Sequence, residues 1–399
     1  MVNSNTVVLN SKGWYLNALP STLLGTWTND EDVVSVNTDD DIAIEVNSDV
    51  TVNTLEGDDK ISGTSTSVGN NDDGNIDDIG IANAGTINTG KGNDRLTGTG
   101  NFTGIYNAYK STINTGADHD TIIATGNYVG IYNQGTINTD DGDDTITVTG
   151  NYAGVYNLNR INTGKGKDII TGSGTNNGIW NDYASKIDTG SGDDIITGTT
   201  DGESGIINFK LFKLDGTTID GIIDTGTGND TITGTGGLNG IGNGGTINTG
   251  TGNDTVSGTG QNGIQNSGTI NTGTGNDTIT GIGNNGIDNS GTIRTEAGND
   301  IVDGLTGGFV GNGSIIVGDG NDIVKGFGGG FFDGGNGKDQ LLFDFGTYTV
   351  SGSANSAGFY TISNGITDML VQNFDLISST NNPATIFSFS SVIGQTFTV

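Results

Sequence analysis

The 399 residues include 73 glycines, 2 prolines and no cysteine, and 14 basic against 46 acidic side chains leave a formal charge of −32. Disulfides, thiolate metal sites and cysteine nucleophiles are thereby excluded. So few hydrophobic residues do not build large globular cores, and the charge repels nucleic-acid phosphates and anionic lipid while attracting multivalent cations. Such a composition also fits disorder; periodicity decides against it.

Residues 1–54 carry Trp14, Trp27 and the run Asp32-Val33-Val34, and read as an N-terminal cap or degenerate first coils. The first twenty residues have neither a basic segment nor a long apolar one, so export would need a route without a cleavable N-terminal signal. No stretch approaches the length of a membrane span.

From residue 55 one phrase returns. Gly90-Lys-Gly-Asn-Asp94 is followed by copies closing at Asp168, Asp194, Asp230, Asp254, Asp277, Asp322 and Asp339, with looser copies closing at Asp59, Asp120, Asp144 and Asp300. The closing aspartates are separated by 35, 26, 24, 24, 26, 36, 24, 23, 23, 22 and 17 residues. A repeat of this length predicts a solenoid. Each turn precedes a short alternating segment such as Thr231-Ile-Thr-Gly234. A second phrase, Gly-Ile/Val-x-Asn, ends at Asn83, Asn107, Asn133, Asn157, Asn181, Asn208, Asn243, Asn266 and Asn289, usually before a Thr-Ile pair. Three short strands per coil follow, with alternate apolar side chains pointing into a narrow core.

The predicted fold is therefore all-β, a parallel β-solenoid (β-roll or β-helix) of about twelve coils over residues 55–345, with terminal caps. Pro20 and Pro383 both lie outside the array, as expected where a missing N–H would break the ladder. The two long intervals predict loops near Asn70 to Asp78 and Gly202 to Gly221.

The turns have the chemistry of a calcium site. Glycine reaches backbone conformations closed to other residues and brings carbonyl oxygens inward, and the closing aspartate adds a hard anionic oxygen. Calcium takes six to eight oxygens at about 2.3–2.6 Å, more than one short turn supplies, so ions would lie between stacked turns. At these residues the chain resembles the RTX, or haemolysin-type, calcium-binding repeat, G-G-x-G-x-D-x-U-x. Gly334-Gly-Asn-Gly-Lys-Asp339-Gln-Leu341 matches in full, and most other copies replace only the first glycine.

The resemblance implies calcium as cofactor and the following ligands: Gly90, Gly92 and Asp94; Asp120; Gly142 and Asp144; Gly164, Gly166 and Asp168; Gly190, Gly192 and Asp194; Gly226, Gly228 and Asp230; Gly250, Gly252 and Asp254; Gly273, Gly275 and Asp277; Gly298 and Asp300; Gly318, Gly320 and Asp322; Gly335, Gly337 and Asp339. The chain departs from the family in alternating one such motif with the Gly-Ile-x-Asn phrase. Calcium should then line one edge only and an asparagine ladder another. Asp118, Asp140 and Glu296 stand where other turns have glycine.

Tyr106, Tyr132, Tyr156 and Trp180 recur in four successive coils opposite Ile105, Ile131, Val155 and Ile179, which predicts an external aromatic stripe. It either stacks on sugar rings of a carbohydrate or cell-surface partner, or shields the coil edge by stacking on itself. The only histidine, His119, sits in a turn and reads as an exposed turn residue. Thr227 and Asn229, Thr251 and Asn253, and Thr274 and Asn276 are similar to the ice-binding face of a calcium-dependent bacterial antifreeze adhesin. Residues 346–399 read as a C-terminal β cap, whose apolar tail from Ile386 resembles the uncleaved signal of type I export. These features point to a secreted calcium-binding structural or interaction protein of a surface layer, matrix or adhesion system. The alternatives are an extracellular polysaccharide-acting enzyme and an ice-binding protein.

Overall fold

The structure is a computed structural model that describes residues 6–9, 14–15, 29–39, 41–67, 78–381 and 386–399. Trp27, both prolines and the expected loop near Asn70 to Asp78, apart from Asp78 itself, lie outside them, as does the side chain of Trp14. Among the described residues the chain is a parallel β-solenoid of about twelve coils roughly 24 residues apart. No helix is long and apolar enough to cross a membrane.

One coil shows why the sequence winds this way. Thr121–Gly126 lies on the first face, Val129–Asn133 on the second and Thr136–Asn138 on the third. The turn closing at Asp144 returns the chain to the first face at Thr145–Gly150. Alternation sends Ile122, Ala124, Ile131 and Ile137 inward, all at most 1% exposed. Coil follows coil without slip: Thr121 pairs with Thr145, Ile131 with Val155 and Ile137 with Ile161. A one-residue slip would turn every isoleucine to solvent, so the burial pattern itself holds the register. The three faces grow into parallel sheets of 16, 12 and 16 strands, antiparallel only at the C-terminal end.

The corner between the second and third faces is closed by the asparagine ladder that the repeats predict. Asn83, Asn107, Asn133, Asn157, Asn181, Asn208, Asn243, Asn266 and Asn289 are all buried. Each of the first eight donates Nδ2–H to Oδ1 of the next at 2.8–2.9 Å. A carboxamide has both donor and acceptor, so a column of identical side chains satisfies itself.

Two departures from the expected outline concern the long interval and the ends. The excursion expected from Gly202 begins only after Asn208: Ser204–Asn208 keeps its place in the second sheet, and the extra residues form an antiparallel hairpin of Lys210–Phe212 with Thr218–Asp220. The buried register of Ile206 holds this strand in the coil, and the inserted residues project beyond it with Phe212 and Leu214 exposed. At the C-terminal end the coils shorten, the second sheet stops at Phe309–Val310, and Phe309, Phe332 and Phe343 fill the tapering core. Parallel pairing nevertheless continues past residue 345, from Phe331–Asp333 to Asp368–Gln372 and from Gln340–Phe343 to Leu376–Ser379. The apolar tail closes this end. Ile386–Ser388 pairs antiparallel with Leu376–Ser379, Thr396–Thr398 pairs with Thr347–Val350, and Phe389, Val392, Phe397 and Val399 are buried.

Because each ladder asparagine serves two neighbours, Asn133→Ala should leave buried partners unpaired on both sides and cost about 2–4 kcal/mol. Asn138 belongs to the half-buried outer row, where Asn138 Nδ2 reaches Asn114 at 3.0 Å, and Asn138→Ala should cost well under half as much. Thermal and urea unfolding followed by circular dichroism check both; equal losses would refute the distinction.

Candidate functional site

The repeated turn stacks into a column along one corner of the prism, and its glycines are dictated by backbone geometry. Of the site glycines, all but Gly142 and Gly320 have positive φ, from +85° at Gly335 to +152° at Gly298. Asp118, Asp140 and Glu296 take the same left-handed conformation at +84°, +62° and +63°, so the turn path is retained where glycine is missing. Space is equally short: a methyl on Gly252 would stand 1.7 Å from the carbonyl oxygen of Gly228.

These turns bind one another before any ligand is considered. The carbonyl of the first glycine accepts an N–H from the following turn, Gly90 from Ala117 at 3.0 Å, Gly164 from Ser191 at 2.9 Å and Gly226 from Thr251 at 3.0 Å. The residue before each closing aspartate adds an outer row, in which Asn229 Oδ1 accepts the N–H of Asn253, and Asn253 that of Asn276, both at 2.8 Å. His119 is a rung of this row: its Nδ1 accepts the N–H of Asp143 at 2.8 Å, and its ring is exposed. Where the side chain is Asn, Asp or His it accepts an amide N–H, which explains why these three interchange there; Lys167 interrupts the row and Lys338 ends it. Thr227, Thr251 and Thr274 are exposed and bridge in parallel on the same turns.

The closing aspartates face inward. All twelve, from Asp59 to Asp339, are at most 1% exposed. One carboxylate oxygen accepts the backbone N–H of the preceding coil's closing aspartate, from Asp32 to Asp59 and onward to Asp339, at 2.7–2.9 Å throughout. Asp339 continues the column by donating to Asp375 at 3.0 Å. The other oxygen, Oδ2, is buried without a hydrogen-bond partner in all twelve. A turn threonine adjoins each of most of these carboxylates and lowers its pKa, as Thr89 does for Asp94. At most turns its hydroxyl donates to a carbonyl of the next coil, Thr89 to that of Thr115 at 2.9 Å, whereas the hydroxyls of Thr115 and Thr272, beside Asp120 and Asp277, have no such partner.

A buried carboxylate so placed resists ionisation. Burial, reinforced by neighbouring carboxylates and opposed by the amide and threonine contacts, pushes Asp94 and Asp230 up to about 6, Asp144 and Asp194 to about 7, and Asp120 to about 8. Asp168, Asp254 and Asp300 are raised by the same leading cause. The column thus holds twelve buried carboxyl groups whose charged form is disfavoured and which a proton or a cation beside Oδ2 would stabilise.

Calcium fits this need in donor chemistry. Among the described residues no three His, Cys, Asp or Glu side chains converge on one point, so an ion would draw on Oδ2 of successive closing aspartates together with backbone carbonyls. First-glycine carbonyls such as Gly90, Gly164, Gly190, Gly226, Gly250, Gly273 and Gly318 are already engaged between coils. The second-position carbonyls, those of Gly92, Gly142, Gly166, Gly192, Gly228, Gly252, Gly275 and Gly298 among them, complete the available oxygens. Sequence reasoning missed the amide that occupies Oδ1; strict spacing of the closing aspartates signalled a column, but not its inward orientation.

The aromatic stripe is external, with Tyr106 paired to Tyr132, Tyr132 to Tyr156 and Tyr156 to Trp180 while Ile105, Ile131, Val155 and Ile179 are fully buried. Its rings are half-buried against each other. Phe102, Tyr128 and Tyr152 stack with centroids 4.8 and 4.9 Å apart and planes within 18°. Along the Tyr106 to Trp180 column the contacts are mixed, stacked at 29° for Tyr106 with Tyr132, edge-on at 88° for Tyr132 with Tyr156 and tilted at 52° for Tyr156 with Trp180, so the rings shield one another by close contact.

Comparison with protein-family models gave no match, and comparison with curated proteins gave none either.

The raised pKa values set a pH dependence for the metal-free chain. The folded state binds these protons more tightly than an unfolded chain whose aspartates titrate near 3.8, so the stability they contribute is full below that value and is lost as pH rises through about 6 to 8. In chelator, the thermal midpoint should therefore fall between about pH 4 and about pH 8, and Asp144→Asn, which keeps an amide acceptor without a charge, should flatten the slope. A midpoint rising over that interval would contradict the assignment.

Proposed function

We propose that this chain is a calcium-held β-solenoid that acts outside the cell as a structural or interaction protein of a surface layer, matrix or adhesion system. The carrying observation is the column of twelve buried closing aspartates, each with one unpartnered oxygen. A buried charge is tolerated only when paired or metal-bound, and calcium supplies positive charge to hard oxygen donors without demanding the strict octahedron of magnesium. The formal charge of −32 favours capture of such ions. The resemblance of the turns to RTX repeats supports the same reading, and with it export by a type I system followed by folding in external calcium.

In this reading the residues hold the ion and the ion holds the coils. Oδ1 of each closing aspartate stays on the backbone amide, Oδ2 turns to the cation, and the glycine turns bring carbonyl oxygens to the same corner. Since calcium binds the folded stack and not the extended chain, its binding free energy adds to folding. Extracellular modules of this class bind at about 10⁻⁴–10⁻³ M, so the chain would be weakly stable in calcium-poor cytosol.

A calcium titration at neutral pH after chelation should give a cooperative gain of β-structure by circular dichroism, with magnesium ineffective. Replacing Asp230, Asp254 and Asp277 together by Asn should lower the number of calcium ions bound while leaving the acid-stabilised fold intact. An equally β-rich and equally stable protein in chelator at neutral pH would sink the proposal.

A further inference from the structure

The outward column of the second face runs Tyr106, Tyr132, Tyr156, Trp180 and Ile207, then breaks at Gly242 before resuming at Gln265. Gly242 differs from the turn glycines in needing neither unusual backbone nor space. It lies within the strand Asn239–Asn243, and a methyl there would be 3.7 Å from its nearest neighbours, ordinary contact. Its effect is to leave a hole. Beside the hairpin this hole opens as a cleft of about 220 Å³, lined among others by Phe209, Lys210, Phe212, Gly242, Gln265 and Ser267.

Phe209 gives the cleft its chemistry. It ends the aromatic stack, lying on Trp180 with centroids 4.9 Å apart and planes at 24°. The coil beyond it carries Gly244 in the equivalent place, so no ring covers its second side. At the opposite end the stripe stops at Phe102 and Tyr106, both half-buried, and Tyr106 has Ala82 beside it on the preceding coil. Gln265 and Ser267 stand on the next coil with amide and hydroxyl groups, and Lys210 is paired with Asp220 at 3.6 Å.

We propose that this cleft binds one neutral hexopyranose ring of a saccharide, stacked on Phe209 with its hydroxyls toward Gln265 and Ser267. A pyranose has an apolar C–H face and a hydroxyl rim, which match one free aromatic face flanked by an amide and a hydroxyl. The cleft has room for a single ring. An anionic sugar is disfavoured by the charge of −32 and by the neutralised Lys210. The site gives the adhesion reading a ligand class, and it requires only the folded coil, not the calcium assignment.

The test uses the full chain in calcium, with circular dichroism confirming the fold, and a panel of methyl α- and β-glucosides, galactosides and mannosides, dextran, cello-oligosaccharides and galactomannan. Ligand-observed NMR and affinity electrophoresis read binding by free rings and by polymers separately. At least one neutral saccharide should bind. Gly242→Trp fills the hole with a residue type that the same column accepts at Trp180, so it should weaken binding at least about tenfold with an unchanged unfolding midpoint. Phe209→Leu should weaken binding in the same direction. No binding across the panel, or binding untouched by Gly242→Trp, would overturn the proposal, as would a dimer that Gly242→Trp dissociates, which would assign the cleft to a second copy. If the chain proves stable in chelator the same measurements can be made there, so failure of the calcium reading and failure of this one are separable.

Discussion

Every coil residue in this solenoid has an equivalent about 4.8 Å away in the next coil, so each position must hold a side chain that tolerates its own kind as a neighbour. That constraint explains the columns. Isoleucine packs on isoleucine, asparagine donates to and accepts from asparagine, threonine passes its hydroxyl proton to the next coil's carbonyl, and aromatic rings stack. Aspartate is the exception, because a carboxylate accepts and cannot donate. The backbone amide of the preceding coil satisfies one oxygen, and the other is left buried. The one column that fails self-complementarity is thus the one whose charge a proton or a cation would have to offset.

Several charged residues elsewhere find a partner of opposite sign on a neighbouring coil. Lys165 meets Asp141 at 2.8 Å, and Lys186 meets Asp224 at 2.9 Å with Asp188 beside it. Where the outer asparagine row is interrupted, Arg160 and Lys186 bring cations to the aspartates that replace asparagine. The exposed pairs add little stability individually, but where like charges fall in register, as Arg160 with Lys186 and Asp188 with Asp224, these cross pairs offset them. No such pairing relieves the closing aspartates.

A parallel stack also leaves open ends, which would pair with other chains if uncovered. At the C-terminal end the core changes from stacked isoleucine to interlocked phenylalanine, and antiparallel strands with a short helical turn cover the last coil.

The sequence by itself determined the period, the three strands per coil, the inward isoleucines, the asparagine ladder and the left-handed turns, because each is a property of repetition: equivalent residues recur, and alternation says which face they share. Tertiary structure alone decided the rest. Spacing places the aspartates in a column but does not say that their side chains turn inward onto an amide, nor that the first-glycine carbonyls accept an N–H from the following turn, since both depend on how one turn sits on the next. Glycine looks the same in sequence whether it serves a positive φ, as at Gly228, or leaves a hole, as at Gly242. The aromatic repeat likewise predicted an outer stripe, but only the stacking of one ring on another showed that its faces are shared, because that is set by rotamers in neighbouring coils and not by position along the chain.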